Sequence, residues 1–528
     1  MRKTYTVGIV VSATLVGAGL VALPAAASGA PSPFGSAGSA NPRSGVQEDV
    51  LAPGLRQTSV AWGALKLTNA DAANGVTHYG YNTSNGGPLT QDPHEAFKTE
   101  PDKNVYLVLG GHHYLFQGHE GGPRGYVTRV DLDQADQTQR VSLVTDVDAD
   151  GNALPDFDGI TWDPFSGQLL LTAESASPVG GVWAVALDAN GNPTTGKAVR
   201  LPLIGSGGFE GIQNDSDGNV WIVEDIGGPT VAGTNGKKPN SYLYRFVPVD
   251  KTDLTKGGTL QALQVQRADG TAVTAAQLSA NPSDPFIGAL HTYGASFATQ
   301  WVTVHEGSAA PFGATAAAAA AGATPFKRPE NGVFRPGTGF GEFYFTETGD
   351  TNALTTLPGG FGGVFKLAQT APSANTGTLS PVWLGDVAHT GFDNISFAGR
   401  DELLVVEDAG DGLHTQREAL DSAYAVELRG NDKKAPSFTR WLAEGRDASA
   451  TYDATTSPGY NDGDNEVTGI HTSDGDPTVA GILGAKVPHV FDGSWRVFWT
   501  QQHGDNVTWE VSGTATPHHG WGWGHDHD

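Results

Sequence analysis

The sequence contains no cysteine, and this absence excludes disulfide bonds as a source of stability. Basic residues are also scarce: 31 Lys and Arg stand against 57 Asp and Glu, which gives a formal net charge of −26. A surface of that sign repels nucleic acid, so we expect no nucleic-acid partner. Carboxylates are the ligands that hard cations such as calcium prefer. We therefore expect stability to come from core burial, bound metal or both.

Long hydrophobic runs are absent except at the N-terminus. Residues 7–23 form an apolar run that follows Arg2 and Lys3 and precedes three alanines at residues 25–27. This order is typical of a cleaved secretory signal peptide. We therefore predict a signal peptide over residues 1–30 and a secreted protein. No later segment is apolar enough to span a bilayer, so stable membrane insertion is not expected.

The ends of the mature chain have biased compositions. Residues 31–50 are rich in Gly, Ser, Pro and Ala and are predicted to form a flexible linker. Residues 513–528 are rich in His, Asp, Gly and Trp and are predicted to form a disordered tail. The folded domain is therefore assigned to residues 51–512. Within it, the alanine-rich residues 316–321 are predicted to form a loop.

The folded part contains one pattern six times. A turn rich in Asp, Gly or Asn precedes a short strand, and the strand ends on a polar residue. The copies are NVYLVLGGH from Asn104, QLLLTAES from Gln168, NVWIVEDI from Asn219, EFYFTETGD from Glu342, ELLVVEDAG from Glu402 and RVFWTQQHG from Arg496. Short strands separated by turn signals favour propeller blades over a sandwich. We therefore predict an all-β protein, a six-bladed β-propeller.

One interval between the copies is long. Residues 250–324 lie between the third and fourth copies and are predicted to be an insertion. Such a segment either covers the channel mouth, where it would control substrate access, or elaborates an outer blade.

The strand ends are the first candidates for a functional site. In a propeller the innermost strands run side by side around the channel, so residues at equivalent strand ends converge on one rim. Converging carboxylates repel one another unless cations lie between them, which predicts a metal site. For each Glu alone, a solvated loop is the simpler alternative. The candidate channel-facing residues are Glu174, Glu224, Glu347, Glu407 and His503.

Further carboxylates stand in tight turns beside these strands, where a loop can aim an oxygen ligand at a metal. They are Glu120 in GHE, Glu210 in FEGI, Glu330 in KRPE, Asp393 in FDNI and Glu466 in EVTG. Arg328 lies two residues before Glu330, and its guanidinium can bind a phosphate through two hydrogen bonds beside the metal ligands. A salt bridge at the rim is the alternative for Arg328.

Together these motifs resemble the PhoX family of calcium-dependent alkaline phosphatases. The resemblance extends over about residues 100–510, and RPE, EVTG and QQHG are its most specific motifs. It implies a six-bladed propeller that hydrolyses phosphate monoesters at a cluster of calcium and iron ions in the channel mouth. It implies that Arg328 contacts the phosphate. It also matches six carboxylates to metal ligands: Glu120, Glu174, Glu210, Glu330, Asp393 and Glu466.

The chain differs from that family in one residue type. Characterised members resemble one another in a cysteine that binds the iron pair, and this sequence has none. Thiolate ligands favour softer iron centres, whereas an all-oxygen cage suits calcium. Calcium is therefore the expected cofactor, and iron remains an open question.

Three functions are consistent with the sequence. The first is a secreted, monomeric, metal-dependent phosphatase that acts on a small phosphorylated substrate. The second is a calcium-dependent propeller hydrolase of another ester class: a phosphodiester, phytate or a lactone. The third is a calcium-binding secreted propeller without turnover. Arg328 beside Glu330 favours the first over the third, because a structural calcium site does not need a cation that points into it.

Overall fold

The computed structural model is composed almost entirely of β-strands, with 47% of residues in strands and 9% in helices, which confirms the predicted all-β class. From Phe34 onward the chain forms one compact unit. The described residues are 32–44, 47–83, 96–121, 124–174, 179–307, 311–352, 354–355, 357–429, 433–446 and 465–513. The predicted signal peptide and C-terminal tail therefore lie almost entirely outside the described residues.

The first six strands belong to three different sheets. They are β1 Val50–Leu51, β2 Leu55–Ala61, β3 Lys66–Asp71, β4 Val76–His78, β5 Tyr81–Thr83 and β6 Ala96–Lys98. Strands β3 to β6 form a sheet of their own, in chain order. Strands β1 and β2 pair with strands from the C-terminal part of the chain.

The next eight strands form two antiparallel sheets of four, each in chain order. They are β7 Glu100–Leu109, β8 His112–Glu120, β9 Tyr126–Asp131, β10 Val141–Thr145, β11 Ile160–Asp163, β12 Gln168–Ala173, β13 Gly181–Ala186 and β14 Val199–Arg200. Strands β7 to β10 form the first sheet, and β11 to β14 form the second.

The middle of the chain forms one sheet of nine strands. They are β15 Phe209–Asn214, β16 Val220–Glu224, β17 Leu243–Pro248, β18 Gly258–Val265, β19 Phe297–Gly307, β20 Pro329–Phe334, β21 Glu342–Glu347, β22 Gly363–Gln369 and β23 Thr376–Leu384. Strand β19 pairs with β18 on one side and β23 on the other. It thereby joins two groups of four, β15 to β18 and β20 to β23.

The last seven strands form two further sheets. They are β24 Phe392–Phe397, β25 Glu402–Glu407, β26 Ser422–Glu427, β27 Ser437–Ala443, β28 Glu466–Ser473, β29 Arg496–Gln502 and β30 Val507–Gly513. Strand β1 pairs with β27, and β2 pairs with β30. The N-terminal strands thus complete the two C-terminal sheets.

The first strand of each group lies on the inside of the molecule. Strands β7, β11, β15, β20, β24 and β28 contact one another in this order, and β28 contacts β7. Six first strands therefore enclose a channel. The number of blades stays a prediction, because β19 fuses two of the groups into one sheet.

Hydrophobic side chains fill the spaces between neighbouring sheets. On β12, Leu169 and Leu171 pack with residues of the preceding sheet, such as Phe116, whereas Leu170 packs with Ile222 of the following sheet. Successive side chains of a strand point to opposite faces. Both faces of β12 are covered, and this explains why its sequence is a continuous apolar run rather than an alternating one.

Helices are few and short. They are α1 Ala275–Ala280, α2 Pro285–Leu290, α3 Ala314–Ala320 and α4 Gly410–Arg417, with 3₁₀ turns at Gln137–Gln139, Pro202–Ile204, Leu254–Lys256 and Val479–Gly481. The loop predicted over residues 316–321 is mostly helical, because alanine has the highest helix propensity. None of the helices in the described residues is long and apolar enough to cross a membrane.

The long interval at residues 250–324 contains two strands and three helices. Strand β18 is the outermost strand of the β15 to β18 group, and β19 adds a further strand beside it. Leu278 of α1 and Phe286 of α2 pack into the hydrophobic core beside this sheet. These contacts favour an elaborated outer sheet over a lid.

The flexible linker predicted for residues 31–50 does not describe the residues that are seen there. Phe34 is 1% exposed, and its ring lies 5.3 Å from that of Trp441. Asn41 donates a hydrogen bond of 2.7 Å to the carbonyl of Glu444. The segment is anchored because one aromatic residue within its Gly/Ser/Pro-rich composition fills a core position.

We predict that Phe34→Ala destabilises the protein by about 3–5 kcal/mol, the usual cost of removing a buried aromatic ring. Ser39→Ala, an exposed position in the same segment, is the control and should have little effect. Chemical denaturation followed by tryptophan fluorescence measures both. Equal stability of the two variants would mean that the segment does not contribute to the core.

Candidate metal centre

A cavity of about 400 Å³ lies where the first strands of the ring begin. Ten of its lining residues are carboxylates, and Arg328 is the one basic residue among the described residues that line it. The lining consists of Asp102, Glu120, Asp158, Glu174, Glu210, Asp225, Arg328, Glu330, Thr348, Thr351, Asp393, Asp408, Ala409, Gly410, Gly412 and Glu466. Acidic side chains therefore far outnumber basic ones in the cavity.

A repeated β-bulge aims the inner carboxylates at this cavity. The pairing of β15 with β16 skips from Phe209 to Ile212, which leaves Glu210 and Gly211 in a bulge. A bulge re-aims the side chain of its extra residue. The same irregularity occurs in β7, β20 and β24, and it presents Asp102, Glu330 and Asp393.

Two further side chains complete the inner layer. Asp158 precedes β11 and is held by its backbone N–H, which donates to the carbonyl of Thr172 at 3.2 Å. On β28, the Thr468 hydroxyl donates to Oδ1 of Asp102. Gly159, next to Asp158, has no room for a side chain, because a Cβ there would lie 2.0 Å from the carbonyl oxygen of Glu210.

The outer layer comes from the ends of the second strands. Glu120 ends β8, and Glu174, Asp225, Thr348 and Asp408 each follow the last residue of a second strand. Thr348 donates a short hydrogen bond to Oε1 of Glu330, which ties the outer layer to the inner one.

Three residues that the sequence placed at the channel do not line the cavity. Glu224, Glu347 and Glu407 pair across the strands with Phe209, Pro329 and Phe392. Since side chains alternate along a strand, the next residue in each copy points to the opposite face. The assignment is therefore displaced by one residue, and Asp225, Thr348 and Asp408 occupy the cavity positions.

These three Glu residues are instead buried acceptors between strands. Glu224 accepts from the Tyr244 hydroxyl at 2.9 Å. Glu347 lies 2.9 Å from Nε2 of His291, and Glu407 lies 3.2 Å from Nη1 of Arg417.

His503, the last of the five residues expected at the channel, does not line the cavity either. Its Nε2 is 3.1 Å from Glu466, and its Nδ1 is 3.2 Å from Glu100. It therefore contacts a cavity carboxylate without being one of the lining residues.

The structure brings together every residue that the sequence assigned as a metal ligand or as the phosphate contact. Their side chains line the same cavity, whereas their roles stay predictions. The seven are Glu120, Glu174, Glu210, Arg328, Glu330, Asp393 and Glu466.

Two groups of three carboxylates have the spacing of a cation site. The ligand oxygens of Asp102, Glu120 and Asp158 lie within 4.8 Å of one another, and so do those of Glu210, Glu330 and Asp393. Oxygens about 2.4 Å from one calcium ion are at most about 4.8 Å apart. Because every ligand side chain that lines the described cavity offers oxygen, the donor set fits hard cations such as calcium. It offers no thiolate for iron.

Burial and mutual repulsion oppose ionisation of these carboxyl groups. Burial, together with the charge of Asp393, raises the pKa of Asp102 to about 7. Burial, together with the charge of Asp225, raises the pKa of Glu330 to about 8. A bound cation would offset the repulsion between ionised carboxylates, so the cavity is suited to hold one.

Arg328 is fixed on the wall of the cavity by Asp225. Its Nε donates to both carboxylate oxygens of Asp225 at 2.9 Å, and its Nη2 donates to one of them at 2.5 Å. Nη2 also lies 3.7 Å from Oε1 of Glu330. The backbone φ of Arg328 is 53°, a left-handed conformation that is rare for a residue with a side chain. Strain of this kind occurs at sites where a side chain must be held in a set position.

Four cavity carboxylates escaped the sequence-based assignment. Asp225 and Asp408 directly follow the Glu that was chosen in the copies NVWIVEDI and ELLVVEDAG. Strand alternation is the signal that could have found them. Asp102 and Asp158 depend on bulges and turns, whose register the sequence alone does not reveal.

Fold and site together define a β-propeller with an acidic centre of metal-binding type at one end of its channel. The model of the alkaline phosphatase PhoX family matches residues 218–482, which is 265 of 528 residues and thus half of the chain. The chain belongs to this family. Membership supports a phosphatase-type hydrolase, and the family is metal-dependent and typically exported.

Comparison with solved structures concerns the fold alone. Pseudomonas fluorescens PhoX in complex with vanadate, a transition state analogue, is 11% identical with a TM-score of 0.57, over 92% of this chain and 98% of that chain. XC5397 from Xanthomonas campestris, a gluconolactonase, is 11% identical with a TM-score of 0.34, over 89% of this chain and 99% of that chain. No curated protein matches the chain. The first of these likenesses confirms the propeller class of fold.

We predict that Glu210→Gln weakens calcium binding at least about tenfold, because it removes a charged ligand from one carboxylate group. Glu224→Gln, on the neighbouring strand of the same sheet, is the matched control. It should lower stability but change calcium affinity less than about twofold, since Glu224 faces away from the cavity. Calorimetric calcium titration distinguishes them. A larger loss of affinity in Glu224→Gln would reverse the assignment of the two faces.

The raised carboxyl pKa values also predict how stability depends on pH. Without metal, the folded state binds more protons than the unfolded state above pH 5, so stability must fall as the pH rises toward 8. Bound calcium favours the ionised carboxylates and should remove this decline. Melting curves in chelator and in calcium, recorded from pH 5 to pH 8, test both statements. A melting temperature in chelator that rises over this range would be inconsistent with uncompensated buried carboxyl groups.

Proposed function

We propose that the protein is an exported, calcium-dependent phosphatase that hydrolyses monoesters of phosphate in the carboxylate cavity. The observation that carries this proposal is the position of Arg328. Its guanidinium lies on the wall of a cavity that is otherwise lined by carboxylates and small polar residues. A cation at that point is of no use to a purely structural calcium site, but it is suited to an anionic substrate.

Arg328 and the metal site would contribute different interactions to phosphate binding. Calcium ions, when bound by the two carboxylate groups, supply positive charge that neutralises the substrate phosphate. Arg328 supplies N–H donors in a fixed plane, which can stabilise the negative charge that develops on the transferring group. Asp225 holds the guanidinium in place through two of its nitrogens, so little reorientation is needed when substrate arrives.

A second part of the cavity lining is also suited to an anion. Ala409, Gly410 and Gly412 line the cavity at the start of α4. The N-terminus of a helix carries unpaired backbone N–H groups and a partial positive charge, which favour a phosphate group. The absence of bulky side chains at these three positions leaves space for the alcohol part of an ester.

The cavity favours small substrates and low selectivity for the leaving group. Its volume of about 400 Å³ accommodates a phosphate group with a short substituent. Its lining consists of charged and small polar side chains with few apolar ones, so recognition centres on the phosphate rather than on the leaving group. Small phosphomonoesters are therefore the proposed substrates. Export and a monomeric state remain part of the proposal.

We predict that Arg328→Ala lowers kcat for p-nitrophenyl phosphate by about 10²- to 10³-fold, the usual scale for removal of one preorganised charge stabiliser. Calcium affinity should be retained, because Arg328 is not a ligand. Arg335→Ala, which removes an arginine paired with Glu342 and Asp401 away from the cavity, is the control and should keep its activity. Assays of calcium-loaded protein, with and without added iron, provide the measurement.

Two outcomes would contradict the proposed phosphatase activity or the proposed role of Arg328. If the wild-type protein binds calcium but hydrolyses no phosphate ester under any metal loading, the cavity serves calcium binding without turnover. If Arg328→Ala keeps full activity, the arginine is a salt-bridge partner of Asp225 and the phosphate lies elsewhere.

A further inference from the structure

Lys327 and Asp350 form a buried ion pair next to the residues of the cavity wall. The Nζ of Lys327 donates to both carboxylate oxygens of Asp350 at 3.1 Å, and the two side chains are 3% and 0% exposed. Neither residue is among those that line the cavity, but Lys327 directly precedes Arg328. Because the cost of desolvating two charges offsets their attraction, such a pair often adds little net stability and can serve to fix a conformation.

The backbone of Arg328 needs support from its surroundings. Its φ of 53° lies in the left-handed region, and Pro329 further restricts the residue that precedes it. A conformation of this kind persists only where neighbouring contacts hold it. The carbonyl of Arg328 accepts from the backbone N–H of Thr348 at 2.8 Å, and the carbonyl of Lys327 accepts from that of Gly349 at 3.2 Å. The ion pair adds a side-chain contact to this backbone support.

Asp350 also joins the segment that carries Arg328 to the segment that carries Asp225. Its Oδ1 accepts from the ammonium group of Lys327 and, at 3.0 Å, from the backbone N–H of Lys237. Lys237 belongs to the connection between β16 and β17, and this connection begins with Asp225. One buried carboxylate therefore links the two segments whose side chains pair on the wall of the cavity.

We propose that Lys327 and Asp350 are positioning residues for Arg328: their ion pair keeps the turn in its left-handed conformation and the guanidinium on the cavity wall. The kinetic consequence rests on the proposed function, under which Arg328 contacts the phosphate. The positioning itself does not, because it concerns the conformation of Arg328 with or without turnover. Displacement of a catalytic group by about 1 Å can lower a rate about a hundredfold, so loss of the pair should be measurable.

The test uses the double variant Lys327→Met/Asp350→Asn. Removing both charges leaves no unpaired buried ion, so the variant should fold. Its kcat for p-nitrophenyl phosphate should fall at least about tenfold, because Arg328 is no longer held in place. Calcium affinity should change less than about twofold, since neither residue lines the cavity. Arg267→Met/Asp284→Asn is the control: it removes a two-bond ion pair, with both distances at 2.9 Å, outside the cavity and should keep its activity.

The same two substitutions in an Arg328→Ala background separate positioning from general damage to the fold. Residues that act through one another are not additive, so kcat should fall less than about twofold below that of Arg328→Ala alone. A further tenfold loss in this background would overturn the proposal. Full activity of Lys327→Met/Asp350→Asn with Arg328 present would also overturn it.

A crystal structure of calcium-loaded Lys327→Met/Asp350→Asn tests the positioning without turnover. We expect Arg328 either to leave the left-handed region or to lose at least one of its hydrogen bonds to Asp225. An Arg328 that keeps both its backbone conformation and its contacts with Asp225 would overturn the proposal. If the wild-type protein hydrolyses no phosphate ester, the proposed function fails, and this crystal structure still decides whether the ion pair positions Arg328.

Discussion

Ten carboxylates face one cavity, and their mutual electrostatic repulsion limits how such a site can be built. Groups this close cannot all be ionised in a buried site unless positive charge lies between them. Burial and neighbouring charges raise the pKa of Asp102 to about 7 and that of Glu330 to about 8, so ionisation of these carboxyl groups is opposed. A scaffold that tolerates such a site must hold each carboxylate firmly and gain its stability elsewhere.

The propeller fold both holds the carboxylates in position and supplies stability away from the cavity. Hydrophobic clusters between neighbouring sheets, such as the one that includes Trp221 and Phe343, stabilise the fold at a distance from the cavity. The first strands then carry the carboxylates on bulges, which have little conformational freedom within a paired sheet. Uncharged donors such as Thr468 and Asn331 satisfy single oxygens, while Arg328 supplies a positive charge on the wall of the cavity. The remaining negative charge suits the cavity to cations and, under the proposed function, to an anionic substrate that those cations would help to hold.

The sequence predicted six of the ten carboxylates that meet in the cavity, because a repeated strand pattern and the turns beside it imply equivalent positions around a channel. Glu174, Glu210 and Glu330 come from different parts of the chain and line one cavity. The sequence did not predict which of two adjacent residues at the end of a strand points into the cavity. Glu224 and Asp225 are adjacent, both are acidic, and only the pairing of Phe209 with Glu224 decides which of them reaches the cavity. Asp102 escaped detection for a related reason, since its orientation depends on a bulge that leaves no clear pattern in the sequence.

The most direct test of this account is a crystal structure of the protein grown with calcium, in which anomalous scattering identifies the ions. We predict one calcium ion among Asp102, Glu120 and Asp158 and another among Glu210, Glu330 and Asp393, each at about 2.3–2.6 Å from the carboxylate oxygens. A cavity that contains only water at saturating calcium, with the ten carboxylates in the same positions, would contradict the claim that this site is built to hold cations.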